Sequence, residues 1–127
     1  MEVILDTNAI SALLEGDSAL EAALAAEARH HLPVIVLGEY RYGLAASRRR
    51  KALEGLLDTL EKESIVLPVD AATARQYASV RRELKTSGKP IPENDVWVAA
   101  LARQHRLAVV SRDAHFDAVR GLSRRRW

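Results

Sequence analysis

The stretch Val3-Ile4-Leu5-Asp6-Thr7-Asn8 lies near the N-terminus and decides the fold class of the chain. Three large apolar residues run directly into an acid, a hydroxyl and an amide. A short continuous apolar run of this kind predicts a strand buried on both faces, as in a parallel sheet covered by helices. The strand is expected to end where the polar residues begin, which places Asp6 at its carboxyl end. Ligands of open α/β sheets bind at that edge.

The size and composition of the chain indicate a single globular domain, residues 1–127. The sequence is 48% hydrophobic and 28% charged, unlike a disordered or fibrous chain. It contains neither a long apolar run nor a basic N-terminal region followed by an apolar stretch, so we expect no membrane span, no secretory signal and a cytoplasmic location. The absence of cysteine excludes disulfides, thiolate catalysis and cysteine-bearing zinc sites.

Two basic clusters, Arg48-Arg49-Arg50-Lys51 and Arg124-Arg125-Arg126, stand out in a chain with a formal net charge of only +2. Basic runs attract nucleic acid. A solvated helix face and a hydrophilic C-terminal segment explain the two runs at least as well, so charge alone leaves a nucleic-acid partner open.

Apolar periodicity predicts strands that alternate with helices along the chain. After the first strand, we expect strands at 31–33, 65–67, 107–110 and 122–125, and helices at 8–14, 18–29, 34–47, 48–62, 71–86 and 92–105. Residues 34–37 fit a strand equally well. Thr7 or Asn8 should cap the first helix, Asp70 the fifth, and Pro92 should open the last. This alternation is typical of a three-layer α/β fold with a mostly parallel central sheet.

Four carboxylates from separate parts of the chain are expected at one edge of this sheet. In right-handed crossover units the helices run opposite to the strands, so strand ends and helix starts share an edge. Asp6 ends the first strand, and Asp113 follows a later one. Asp95 lies in the first turn of its helix, and Glu39 lies early in the apolar helix of the middle segment.

Each acid taken alone has a plainer explanation. Asp95 could complement a helix dipole, worth about 0.3–1 kcal/mol, Asp6 could cap a helix, and Asp113 could be a turn residue. Glu39 differs, because its helix has almost no polar face and buried acids are normally paired or bound to metal. Its plainer explanation is an ion pair with Arg41 or another arginine.

Taken together, the four carboxylates favour a divalent cation. Like charges close together disfavour full ionisation, and a bound ion reverses that penalty. Oxygen ligands without cysteine point to Mg²⁺ or Mn²⁺ rather than zinc. His30 and His31 are adjacent and do not share a helix face, and His105 and His115 are isolated. All four histidines are therefore interpreted as surface or packing residues.

Four polar residues flank the acids and are candidates for orienting a carboxylate or a metal-bound water. They are Thr7, Asn8, Asn94 and Ser111. Their plainer roles are helix caps for Thr7 and Asn8 and a first-turn position for Asn94.

With these residues in view, the chain closely resembles the PIN-domain ribonucleases, and within them the VapC-type toxins of bacterial and archaeal toxin–antitoxin pairs. The resemblance spans essentially the whole chain and rests on four blocks in the family's order and spacing, at 5–8, 38–43, 91–100 and 110–116. Ser111 departs from the family pattern, in which threonine is commoner at that position, but the hydroxyl is kept.

The resemblance implies a PIN-like fold and carries Asp6, Glu39, Asp95 and Asp113 over as ligands of Mg²⁺ or Mn²⁺. Asp117 could supply a further outer carboxylate. The family also implies a homodimer and a cognate VapB-type antitoxin that occupies the site.

These inferences predict a metal-dependent endoribonuclease that hydrolyses RNA phosphodiester bonds as the toxin of a toxin–antitoxin pair. Asp6, Asp95 and Asp113 would ligate the metal, and Glu39 would ligate it or orient the water. Basic residues would hold the RNA backbone, with Arg112, Lys89 and part of the Arg48–Lys51 run as candidates.

Three other classes of protein share part of this pattern. An aspartyl-phosphate phosphotransferase usually carries a second acid two residues after the first, where this chain has Asn8. A response-regulator receiver needs paired acids near its first strand and a late lysine, and neither is evident. A catalytically inactive PIN-fold module that binds protein or RNA stays open as the alternative, although it would not need all four acids.

Overall fold

Five strands and six α-helices make up most of the structure, a computed structural model that describes residues 2–25 and 29–127. In chain order the elements are β1 (Glu2–Leu5), α1 (Thr7–Leu14), α2 (Ser18–Leu24), β2 (Arg29–Pro33), α3 (Val34–Leu44), α4 (Arg50–Glu63), β3 (Ile65–Leu67), α5 (Ala71–Thr86), α6 (Glu93–His105), β4 (Ala108–Val110), a 3₁₀ helix (Ala114–Ala118) and β5 (Arg124–Arg125). The predicted α/β fold is confirmed.

The strands form one sheet in the order β3-β2-β1-β4-β5, and every pairing is parallel. β1 lies at the centre, where Ile4 pairs with His31 of β2 on one side and with Val109 of β4 on the other. Its apolar residues Val3 to Leu5 have no exposed surface. The first strand is therefore buried as predicted, and it brings the residue that follows it to the middle of the carboxyl edge.

Several helix and strand bounds differ from the predicted ones. The second helix ends at Leu24 rather than near Arg29, which begins β2, and the stretch 26–28 lies outside the described residues. The first helix begins at Thr7, so Asp6 takes the N-cap position expected for Thr7 or Asn8. The last helix begins at Glu93, one residue after the expected proline.

The helix from Val34 is shorter and more exposed than predicted. α3 ends at Leu44, and its buried side is formed by Val36, Leu37, Tyr40 and Leu44. Residues 38, 39 and 41–43 are exposed. Although its sequence is mostly apolar, α3 has one buried and one exposed side, and Glu39 lies on the exposed side.

Other predicted elements are confirmed with small shifts at their ends. β3 covers the predicted residues, and α5 spans Ala71–Thr86 with Asp70 as its cap, since the Asp70 carboxylate accepts a hydrogen bond from the Thr73 backbone N–H at 3.0 Å. The edge strand is reduced to Arg124–Arg125. The 3₁₀ helix after β4 was not predicted. Among the described residues, no helix is both long and apolar enough to cross a membrane.

Candidate active site

A cavity of about 1250 Å³ opens at the carboxyl edge of the sheet. It lies where β1 and β4 end and where α1 and α6 begin, and one side is formed by α3. The lining residues that the sequence singled out are Asp6, Thr7, Asn8, Glu39, Asn94, Asp95, Arg112 and Asp113. All four predicted acids therefore border one space, although they come from four separate parts of the chain.

Asp6 occupies the innermost position, directly after the central strand. Its side chain is buried, with 5% of the residue exposed, and it makes no capping hydrogen bond to α1. Instead its Oδ2 accepts a hydrogen bond from the Ser111 hydroxyl at 2.8 Å. Burial raises the pKa of Asp6, and the bond from Ser111 opposes that rise while nearby Asp113 adds to it.

Ser111 is fully buried and connects three parts of the site. While its hydroxyl donates to Asp6, its oxygen accepts from the Asn8 side-chain amide at 3.2 Å and from the Asp113 backbone N–H at 2.9 Å. The Asn8 side-chain oxygen Oδ1 in turn accepts a hydrogen bond from the Arg112 backbone N–H at 3.1 Å. Ser111 and Asn8 thus fix the loop after β4 against the start of α1, which orients Asp6 and Asp113.

Asp95 and Asp113 meet at the side chain of His115. The His115 Nδ1 lies 2.8 Å from Asp113 Oδ1 and 3.2 Å from Asp95 Oδ2. Burial raises the pKa of Asp95 to about 6; the hydrogen bond from His115 opposes the rise, and repulsion from Asp6 and Asp113 adds to it. Asp6 and Asp113 therefore both add to the raised pKa of Asp95 in this pocket.

The interpretation of His115 as an isolated residue was wrong. It follows Asp113 by two positions, and the unpredicted 3₁₀ helix turns its ring back towards both acids. The spacing Asp-x-His was the available signal. Among the described residues, His30, His31 and His105 belong to no such cluster, as expected of surface or packing residues.

Glu39 lines the cavity, but not for the reason deduced from sequence. It is exposed rather than buried in an apolar helix. The suggested pairing with Arg41 is also wrong, since Arg41 binds Asp58 at 2.9 Å and Glu61 at 2.7 Å on α4. Glu39 therefore faces the cavity as an accessible carboxylate.

Asp117 does not line the cavity, in contrast to its suggested role as an outer carboxylate. Both its oxygens accept from the Arg124 guanidinium at 2.8 Å, and the same guanidinium donates to the Ser111 carbonyl oxygen at 3.2 Å. Asp117 therefore contributes to the position of the β4 end through Arg124.

One of the basic candidates lines the cavity, and the others do not. Arg112 lines the cavity, where its guanidinium donates to Asp17 at 3.2 Å and lies 4.5 Å from the centre of the Trp127 ring. Lys89 borders a different cavity beside α5 and α6. The Arg48–Lys51 run is exposed but does not line the acidic cavity.

The donor set of this cavity fits a divalent cation. Single ligand atoms of Asp95, Asp113 and His115 all lie within 4.8 Å of one another. Asp6 repels the charge of Asp95, and a bound cation would relieve that repulsion and favour the ionised form of both carboxyls.

Comparisons with known proteins agree with this geometry. The PIN-domain family model matches residues 3–122. VapC ribonuclease Y4jK from Sinorhizobium fredii is 37% identical over 94% of this chain and 93% of its own length. Ribonuclease VapC5 from Mycobacterium tuberculosis is 35% identical over 94% of this chain and 89% of its own. The crystal structure of FitAcB from Neisseria gonorrhoeae has a chain 32% identical to this one, with a TM-score of 0.81 and coverage of 98% and 96%.

Proposed function

Because this chain belongs to the PIN-domain family, we propose that it is a metal-dependent endoribonuclease acting as the toxin of a VapBC-type toxin–antitoxin pair. Its relatives along nearly the whole length carry the name ribonuclease. The observation that carries the proposal is the convergence of Asp6, Glu39, Asp95 and Asp113 on one cavity.

Asp95 and Asp113 would hold the ion, with Asp6 as the buried carboxylate behind them. A bound Mg²⁺ or Mn²⁺ polarises a phosphate, lowers the pKa of a water molecule and stabilises a leaving oxygen. The Ser111 hydroxyl keeps Asp6 in one orientation through its 2.8 Å hydrogen bond. Such positioning matters because misplaced ligands weaken both ion binding and catalysis.

Glu39 would orient the attacking water. It lies on α3, a different element from the other three acids, and its side chain is open to solvent in the cavity. A carboxylate in this position can accept a proton from water without being held in an ion pair. Arg112 at the cavity wall would bind a phosphate of the RNA backbone.

Hydrolysis by water fits the site better than attack by a side chain. The chain contains no cysteine. Ser111 is fully buried and its proton is committed to Asp6, so it is poorly placed to attack a phosphate. These observations favour a direct hydrolysis without a covalent intermediate on the protein.

We also propose a VapB-type antitoxin and a second copy of the chain as protein partners in the cytoplasm. The solved structure of VapBC-5 from Mycobacterium tuberculosis, a member of the VapBC family of toxin–antitoxin systems, has a chain 30% identical to this one, which supports the first of these. The second copy of the chain is what the resemblance to the VapC-type toxins implies.

Incubation with total RNA, with and without Mn²⁺, tests the proposal when the new RNA ends are mapped by sequencing. We expect cuts at a small number of sites, only with the metal, and none with the Asp6→Asn or Asp95→Asn variant. If the wild-type protein binds RNA but cuts nothing under any of these conditions, the alternative of an inactive PIN-fold binding module is the better description.

A further inference from the structure

His115 is the only histidine of the described residues that reaches the acidic cavity cluster of Asp95 and Asp113. Its Nδ1 is 2.8 Å from an Asp113 oxygen and 3.2 Å from an Asp95 oxygen. Because 48% of the side chain is exposed, packing does not explain why the ring turns towards the acids.

The backbone holds His115 in this position. Its own N–H donates to Asp113 Oδ1 at 3.0 Å, and the Asp113 N–H donates to the buried Ser111 hydroxyl. The next residue, Phe116, has no exposed surface and anchors the 3₁₀ helix in the core. The ring therefore starts from a fixed backbone, as the ligands of a metal site do.

Two of the three distances between these ligand atoms match neighbouring positions of an octahedral coordination shell. With ligands at about 2.1 Å from a small divalent ion, neighbouring ligand atoms lie about 3 Å apart. The two distances from Nδ1, 2.8 Å and 3.2 Å, lie on either side of that value.

We propose that His115 is a nitrogen ligand of the divalent ion, alongside Asp95 and Asp113, and that it biases the site towards Mn²⁺ over Mg²⁺. Mg²⁺ takes oxygen ligands almost exclusively, whereas imidazole is a ligand of first-row transition ions. This inference rests on the metal site of the proposed function and adds the identity of one ligand and of the preferred ion.

The same geometry would also suit a protonated imidazole that merely neutralises the two acids when no ion is bound. The two roles have opposite consequences when the ring is removed. Loss of a ligand weakens ion binding, whereas loss of a competing cation strengthens it.

Titration of the metal-free protein with Mn²⁺, followed by electron paramagnetic resonance, separates these roles without any RNA. His115→Asn keeps a donor near the position of Nδ1 but replaces nitrogen by oxygen. His105→Asn is the matched control, because His105 lies at the far end of α6 from Asp95. We expect His115→Asn to lose at least about tenfold in Mn²⁺ affinity, with a smaller change in Mg²⁺ affinity measured by competition, while the control behaves as the wild type.

Coupling between Mn²⁺ and a ligand nitrogen gives a direct second measurement. Electron spin-echo modulation from ¹⁴N should be present in the wild-type protein and in His105→Asn, and absent in His115→Asn. Missing ¹⁴N modulation in the wild type, or unchanged or tighter Mn²⁺ binding by His115→Asn, would overturn the inference.

The variant Asp95→Asn distinguishes failure of this inference from failure of the proposed function. If Asp95→Asn loses Mn²⁺ binding and His115→Asn does not, the metal site stands and only the nitrogen ligand is wrong. If Asp95→Asn binds Mn²⁺ like the wild type, the metal site itself is wrong, and the proposed function falls with it.

Discussion

The Ser111 hydroxyl donates a 2.8 Å hydrogen bond to Asp6, a residue 105 positions earlier in the chain. This bond joins the carboxyl ends of β1 and β4, the two neighbouring strands at the centre of the sheet. It is a contact between two buried side chains, so water cannot easily replace either partner. The bond therefore orients Asp6 and partly offsets the rise in its pKa that burial causes.

Replacing Ser111 by alanine should shift the acid limb of the cleavage profile to higher pH. The hydrogen bond favours the ionised form of Asp6, so its loss raises the Asp6 pKa further above its ordinary value. We expect RNA cleavage near neutral pH to fall at least about tenfold. Cleavage rates measured across pH check this.

Ser111→Thr is the matched control, since it keeps the hydroxyl. We expect its acid limb to coincide with that of the wild type. An alanine variant with an unshifted acid limb would show that the hydroxyl does not control Asp6.

Asp95→Asn should stabilise the metal-free protein at pH 7. The folded-state pKa of Asp95 is raised from 3.8 to about 6, so ionising this carboxyl weakens folding. Its stabilising contribution is present below the unfolded-state pKa and is lost as the pH rises through about 6. The asparagine variant avoids that loss, roughly 1–3 kcal/mol at pH 7, and melts with EDTA present should show it.

The same comparison at about pH 3 provides the control, because Asp95 is then mostly protonated in both the folded and the unfolded protein and the variant should gain little. Added Mn²⁺ should stabilise the wild type more than the variant. A variant less stable than the wild type at pH 7 in EDTA would contradict the clustering of negative charge.

Chelation should stop cleavage reversibly. EDTA removes the ion that the carboxylates hold, and added Mn²⁺ or Mg²⁺ in excess of the chelator should restore cutting at the same RNA positions. Gel analysis of one defined RNA through removal and re-addition measures this. Cutting that persists in EDTA would point to a different chemistry.

Glu39→Gln should reduce cleavage strongly while leaving the melting temperature unchanged. The side chain is exposed, so its substitution costs little folding energy. Glu21→Gln on α2, which does not line the cavity, is the matched control and should cleave normally. Equal cleavage rates for the two variants would remove Glu39 from the site.

Arg112→Ala should weaken RNA binding and reduce its salt dependence by about one counterion. Binding is best measured in an Asp95→Asn background, where the RNA stays intact. Arg75→Ala on the exposed face of α5 is the control for a change of overall charge. An unaltered salt slope for Arg112→Ala would mean that this side chain does not contact a phosphate.

The sequence predicted the sheet and its central acid because those features depend on short apolar runs. The run before Asp6 suits a buried strand, and the parallel pairing expected of such a strand put Asp95 and Asp113 at the same edge. The position of a strand end or a helix start is determined locally, so these three acids could be predicted to lie near one another.

Features that depend on how one side of an element meets its neighbours were not predictable in the same way. Glu39 was thought to be buried because its sequence neighbours are apolar, but Tyr42 on the same helix is 86% exposed. His115 reaches the acids only through a 3₁₀ turn whose sequence carries no strong helical period. The Arg124 guanidinium donates to both Asp117 and the Ser111 carbonyl oxygen, and this contact between distant residues was not predictable from sequence either.

The central place of β1 also bears on how this protein is made. Its neighbour β4 ends at Val110, so a ribosome must synthesise the whole stretch from β1 to β4 before the middle of the sheet can close. Asp6 leaves the exit tunnel 105 residues ahead of its partner Ser111. A nascent chain would therefore stay harmless to the RNA around it until Ser111 has also left the tunnel.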